Sequence, residues 1–298
     1  MRTDRFRIIL YILLIVFIPV SLQARDLQPI VSTDWLEKNS GNPGLVIVDI
    51  RRVEDYRTDH VPGSINVIYG SWAVSKGGFD NEIPDDDDLT DLLSSSGIGL
   101  DSWVVIVGQV NSATDRVNRT RVAWTMIYAG IVNVAILDGG YNKWVADKKA
   151  VSTEGTRPKP KSYKGTFNRN VFANKDYVLG RLGSKTIVVD VRDPDYYSGK
   201  LKVPVVSKAG HIRGTPNLPI SLTFNKDGTF KDRNELEAAA STVVGADRSQ
   251  EIIVYCNTGR ESSNWWFLLH EVLGYEDVKN YDGSMQEWSK DANAPVEP

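Results

Sequence analysis

The two halves of this chain repeat one another, and that constrains its fold more than any other feature. Leu45-Val-Ile-Val-Asp49-Ile-Arg51 is matched by Thr186-Ile-Val-Val-Asp190-Val-Arg192, 141 residues later. His60-Val-Pro-Gly63-Ser-Ile-Asn66 returns as His211-Ile-Arg-Gly214-Thr-Pro-Asn217 at an offset of 151. Trp103-Val-Val-Ile-Val107-Gly108 returns as Glu251-Ile-Ile-Val-Tyr255-Cys256 at 148, and Leu137-Asp138-Gly-Gly-Tyr-Asn-Lys-Trp144 as Tyr281-Asp282-Gly-Ser-Met-Gln-Glu-Trp288 at 144. Order is kept and the offsets stay close, so one duplicated unit with loop insertions explains the chain.

Each unit reads as α/β. The runs Val46–Val48, Val104–Val107, Ile187–Val189 and Ile252–Val254 are short, β-branched and continuous. Strands buried on both faces of a mainly parallel sheet have that pattern. Between them lie longer segments: Ser263–Leu273 carries Trp265, Trp266, Leu268, Leu269 and Val272 at helical spacing, and Arg121–Ala129 is its counterpart. Alternating strands and helices predict two three-layer domains, residues 25–151 and 165–298. Residues 152–164, rich in Lys, Pro, Ser, Thr and Gly, read as an exposed linker.

The first 24 residues stand apart. Arg2, Arg5 and Arg7 precede an apolar run from Ile8 to Leu22, which ends at Gln23-Ala24-Arg25-Asp26. This pattern predicts an export signal cleaved after Ala24, with an uncleaved anchor as the alternative. Fifteen residues are short for a spanning helix, which needs about 20. On either reading the body of the protein is periplasmic or secreted, and a membrane is a partner only where the segment is retained.

Composition narrows the chemistry. The formal charge is −3 and the sequence has no long Lys/Arg block, which argues against a nucleic-acid binder. One Cys and three His, at 60, 211 and 270, poorly support a metal centre, and one Cys cannot form an internal disulfide. His60 and His211 recur in both units, including the one without a cysteine, so a structural role is expected. Asp49, Arg51, Asp190 and Arg192 lie at strand ends, where structural pairing is favoured over substrate contact. The run Asp85–Asp88 reads as an acidic surface turn.

Cys256 ends a buried strand and opens Asn257-Thr258-Gly259-Arg260-Glu261-Ser262, directly before a helix. In open α/β sheets ligands bind beyond the carboxyl ends of the strands. Loop amides and the helix dipole at that point would favour a thiolate, the nucleophilic form, and Arg260 would add positive charge partly offset by Glu261.

On these residues the chain resembles the tandem rhodanese family of sulfurtransferases over nearly all of residues 30–290. The resemblance rests on Val189-Asp190-Val-Arg192, Gly210-His211-Ile-Arg-Gly214, Tyr281–Trp288 and the six-residue loop Cys256–Glu261. It implies two rhodanese-like domains, the first catalytically silent because Gly108 stands at the place of Cys256, and forming one wall of the cleft over the cysteine. It implies catalysis by Cys256 through a persulfide, substrate binding by Asn257, Thr258, Gly259, Arg260, Glu261 and Ser262, and loop support from Asp190 and Arg192. No metal or organic cofactor is needed. The implied partners are a small-molecule sulfur donor and a thiol or cyanide-like acceptor, with a protein acceptor open.

The donor stays open too, with thiosulfate favoured. Thiosulfate-using members place a cation just after the Cys, where this chain has Asn257 and Thr258, and Tyr196 stands near the place of the family's substrate Arg. Two alternatives remain: a sulfur carrier that does not turn over, and, less favoured, a phosphatase or arsenate-reductase type. The last would place Arg six residues after the Cys, where this chain has Ser262.

Overall fold

The computed structural model describes residues 25–298. The expected export signal, residues 1–24, lies outside them. Among the described residues no helix is long and apolar enough to cross a membrane.

The first unit contains β1 (Ile30–Val31), β2 (Leu45–Asp49), β3 (Ile65–Asn66), a hairpin of β4 (Val74–Lys76) and β5 (Phe79–Glu82), then β6 (Trp103–Val107) and β7 (Val134–Leu137). The second contains β8 (Phe172–Ala173), β9 (Ile187–Asp190), β10 (His211–Ile212), β11 (Ile252–Tyr255), β12 (Val278–Tyr281) and β13 (Val296–Glu297). The main sheets are wholly parallel and share one topology: β1-β7-β6-β2-β3 in the first, β8-β12-β11-β9 in the second. The second sheet's fifth strand shrinks to a single parallel bridge, Asp190 with Asn217, matching Asp49 with Asn66.

The continuous apolar runs are explained by their two faces. Val104 and Ile106 of β6 point into one large core, whereas Val105 and Val107 point into a smaller one on the outer side. In β11, Ile252 and Val254 join that same large core, and Ile253 and Tyr255 enter a third. The large core is therefore common to both units. Helix Ala113–Tyr128 of the first unit and Ser262–Phe267 of the second pack together within it.

Those helices differ from their sequence-based bounds. The first begins at Ala113, eight residues earlier than expected, because Ser112 and Asp115 form a reciprocal capping box. The second is α-helical over Ser262–Phe267 and continues as a π-wound turn over Leu268–Leu273, ended by Gly274 in the left-handed region. The segment 152–164 is exposed except at Ser152, half-buried in a bridge to His60, and at Tyr163, which is buried with its hydroxyl donating to the Ala129 carbonyl. Asp85–Asp88 cap and open helix Asp86–Ser95, where carboxylates meet the positive end of the helix dipole.

The two-fold likeness extends to the contacts between units. The β4–β5 hairpin reaches across to the second unit, where Ile83 N donates to Asp282 Oδ2 at 2.8 Å. The second unit's small hairpin, closed by the Phe224–Phe230 bridge, reaches back, and Phe230 N donates to Asp138 Oδ1 at 2.9 Å. Asp138 and Asp282 occupy equivalent places. Each unit thus lays a hairpin beside the loop of the other.

Candidate active site

Asp190 and Arg192 form a buried bidentate pair, with Arg192 Nε 3.0 Å from both carboxylate oxygens and the Arg192 amide 2.9 Å from Oδ1. Asn217 closes the turn by donating to the Asp190 and Arg192 carbonyls at 2.9 and 2.8 Å. Asp49, Arg51 and Asn66 repeat this network in the first unit, so the motif is architectural. Arg192 alone adds a contact to the loop, Nη1 to Asn257 Oδ1 at 3.3 Å. His60 stacks on Tyr56 and His211 on Tyr197, each at 3.8 Å between ring centroids, with Nδ1 bonded to the Tyr56 and Tyr197 carbonyls. Neither ring nitrogen is bonded to the cysteine loop.

Cys256 follows β11 and is wholly buried. Its loop is pinned from below by the segment after β12. Ser284 Oγ accepts from the amides of Cys256 (3.1 Å) and Gly259 (3.0 Å), while donating to Tyr281 O. Met285 N and Gln286 N donate to the Cys256 and Asn257 carbonyls at 3.0 and 2.9 Å. Gly259 is required by the turn: its φ is +72°, and a Cβ there would lie 2.3 Å from Asp282 O. Its own carbonyl accepts from Arg121 Nη1 of the first unit at 3.2 Å and from Asn280 Nδ2 at 3.1 Å. Arg121 also pairs with Asp282, both fully buried.

The sulfur itself meets hydrogen-bond donors. Ser262 Oγ lies 3.5 Å from Sγ, and the Thr258 and Ser262 backbone N–H groups act on it as well, each favouring the thiolate. The amides of Cys256 and Gly259 are instead spent on Ser284.

One expectation about charge is corrected. Burial pushes the Cys256 thiol up, Glu261 pushes it further, and the donors only partly offset them. The resting group is therefore not a strongly stabilised thiolate. The Arg260 guanidinium turns toward the Tyr69 ring of the first unit, 6.0 Å from the centroid. Glu261, itself pushed up by burial, lines a cleft of about 200 Å³ with Asp193, Ile220 and Phe224, and the first unit supplies Ala113, Arg116 and Val117 as the opposite wall. Tyr196 is half-buried on the short helix Pro194–Tyr197. Among the described residues no cluster of His, Cys, Asp or Glu could hold a metal ion.

The equivalent place in the first unit is filled. A Cβ on Gly108 would lie 3.0 Å from Arg119 Cγ and 3.1 Å from Ile50 Cγ1. Arg119 is buried there, donating to Leu137 O at 2.7 Å. Sequence reading had missed Ser284, Asp282, Arg121 and Asn81 as site residues. The Asp-Gly pair after the last sheet strand, repeated at Asp138 and Asp282, was the available signal.

The Rhodanese-like domain family matches this chain twice, over residues 32–147 and 174–291. A protein of Mycolicibacterium smegmatis named "Putative thiosulfate sulfurtransferase" is 35% identical over 284 residues, which is 90% of this chain and 97% of its own length. The sulfur carrier protein TtuD of Thermus thermophilus is 32% identical, covering 90% of this chain and 96% of TtuD. In fold, the chain superposes with a TM-score of 0.80 on the anaerobic ergothioneine biosynthesis enzyme of Chlorobium limicola, at 24% identity, over 90% of this chain and 70% of that one. With two copies of the domain in tandem, the chain belongs to the rhodanese-like family and is a sulfurtransferase of that type.

Proposed function

We propose that Cys256 carries the sulfur, taking it from thiosulfate or a similar sulfane donor and giving it to a thiol or cyanide-like nucleophile. In the first half-reaction the Cys256 thiolate attacks the outer sulfur of thiosulfate; an S–S bond forms at Sγ as the S–S bond of the donor breaks, and sulfite leaves with the electron pair. In the second, the acceptor attacks the terminal sulfur of the persulfide, and Cys256 departs as thiolate. The observation that carries this reading is the pinned loop at the end of β11 that holds Sγ 3.5 Å from the Ser262 hydroxyl. That donor faces the negative charge that each half-reaction places there. Asn257, Thr258, Gly259, Arg260, Glu261 and Ser262 are assigned to substrate and loop geometry, and Asp190 and Arg192 to loop support.

Cys256→Ser should abolish thiocyanate formation from thiosulfate and cyanide with an unchanged far-UV circular dichroism spectrum. Activity retained in that variant overturns the assignment. Wild-type protein mixed with donor alone should gain the mass of one sulfur atom. The name of the Thermus relative favours a second reading, a carrier handing its sulfur to a protein acceptor. A carrier accepts one sulfur per Cys256 and then stalls under steady-state assay, whereas an enzyme continues.

The apolar stretch Ile8–Leu22 supports export of the body of the protein. N-terminal sequencing of protein recovered outside the cytoplasm should begin at Arg25; a chain beginning at Met1 in the membrane fraction supports the anchor instead.

A further inference from the structure

The β4–β5 hairpin is fastened to the second unit at several points. The Asp80 main chain pairs with the Gln286 side-chain amide, N to Oε1 at 2.9 Å and O from Nε2 at 2.7 Å, and Lys290 Nζ donates to Gly78 O at 3.0 Å. With Ile83 N on Asp282, these bonds hold the hairpin against the segment that pins the cysteine loop. Asn81 lies between them in the left-handed region, with φ +59°, which Asn tolerates and glycine prefers. A side chain at such a position needs another reason to be there.

The Asn81 amide has both ends bonded. Oδ1 accepts from Tyr69 OH at 2.8 Å and Nδ2 donates to Thr258 Oγ1 at 3.1 Å. Burial pushes the Tyr69 hydroxyl up to about 12, so it remains a proton donor and sets the direction of the chain. Thr258 is two residues beyond Cys256, on the same loop that Ser284 pins through the Cys256 and Gly259 amides.

We infer that Asn81, from the unit without a cysteine, is a positioning residue for sulfur transfer: by fixing the Thr258 side chain it holds in place the loop that carries Cys256 Sγ. This rests on Cys256 being the sulfur-carrying group. The other groups that act on the sulfur are independent of Asn81: Glu261 and Ser262 on the loop itself, and Arg192 with its partner Asp190 from the end of β9.

Asn81→Gly tests this cleanly, because glycine suits the backbone and only the amide is lost. Thr258→Val removes the acceptor at nearly the same volume, and Thr258→Ser keeps it. Two readouts are needed: the pH midpoint of Cys256 alkylation by iodoacetamide, and kcat with KM for thiosulfate and cyanide. N81G and T258V should each raise the alkylation midpoint and lower kcat about 3–10-fold, the scale of one misdirected hydrogen bond. The double variant should be no worse than either single one, and T258S, which keeps the acceptor, should recover the alkylation midpoint that T258V loses. Normal alkylation and kcat in N81G, or effects that multiply in the double variant, overturn the inference. Alkylation reports on the loop without turnover, so a shifted midpoint in a protein that transfers no sulfur supports the positioning and overturns the proposed reaction instead. Thermal melts of each variant separate loss of fold from loss of positioning.

Discussion

At Cys256 three weak donors work against burial and a neighbouring carboxylate, and burial wins. The reactive thiolate is consequently a minority form near neutral pH, and its share grows as pH rises. Sulfur loading from thiosulfate should accelerate through and above neutrality, read as the rate of sulfite release under single-turnover conditions. A flat profile from pH 6 to 9 would contradict this. Glu82 offers a separate test. Burial and the nearby Asp282 raise its carboxyl to about 8, with Arg121 opposing them. At low pH folded and unfolded chains both hold that proton. As pH rises past the ordinary carboxylate range the unfolded chain releases it and the folded one does not, so stability falls up to about pH 8. Glu82→Gln should flatten that decline in melting temperature. A slope equal to wild type would remove Glu82 as its source.

Among the elements, helix Ala113–Tyr128 shows most plainly what the sequence conceals. Its first two turns, Ala113-Thr-Asp-Arg116 onward, are polar and lack the apolar spacing that marks its second half. The Ser112–Asp115 box was legible and would have moved the start to the right place. Ser112→Ala should cost about 1 kcal/mol of stability in denaturant unfolding. The sheet strands, by contrast, were legible because β-branched runs buried on both faces leave little else they could be. Strands of two residues, such as β3 and β8, carry too little pattern to be seen. Cys256 and its loop stood out by place and composition. Arg121, Asp282, Asn81 and Ser284 did not, because their roles arise from contacts between segments about 25 to 180 residues apart, which no local pattern encodes.

Across the whole molecule, the common core decides how it should unfold. Trp72 and Trp124 of the first unit and Trp265 and Trp266 of the second are buried in one cluster. Neither unit can open without exposing apolar surface of the other, so a single cooperative transition is expected, with calorimetric and van't Hoff enthalpies in agreement. Two separable transitions would contradict the shared core. The Arg121–Asp282 pair lies at this junction and is wholly buried. Arg121→Met would leave Asp282 without its ion partner and should cost about 3–5 kcal/mol, seen as a lower denaturant midpoint.

The filled place at Gly108 has an evolutionary consequence. Restoring a cysteine there would drive its Cβ against Arg119 and Ile50, while the Arg119 guanidinium has already been recruited to the Leu137 carbonyl. A second reactive centre would need the Arg119 and Ile50 side chains to give way as well as the new thiol. A single codon change at Gly108 therefore does not by itself rebuild a twin-centred molecule.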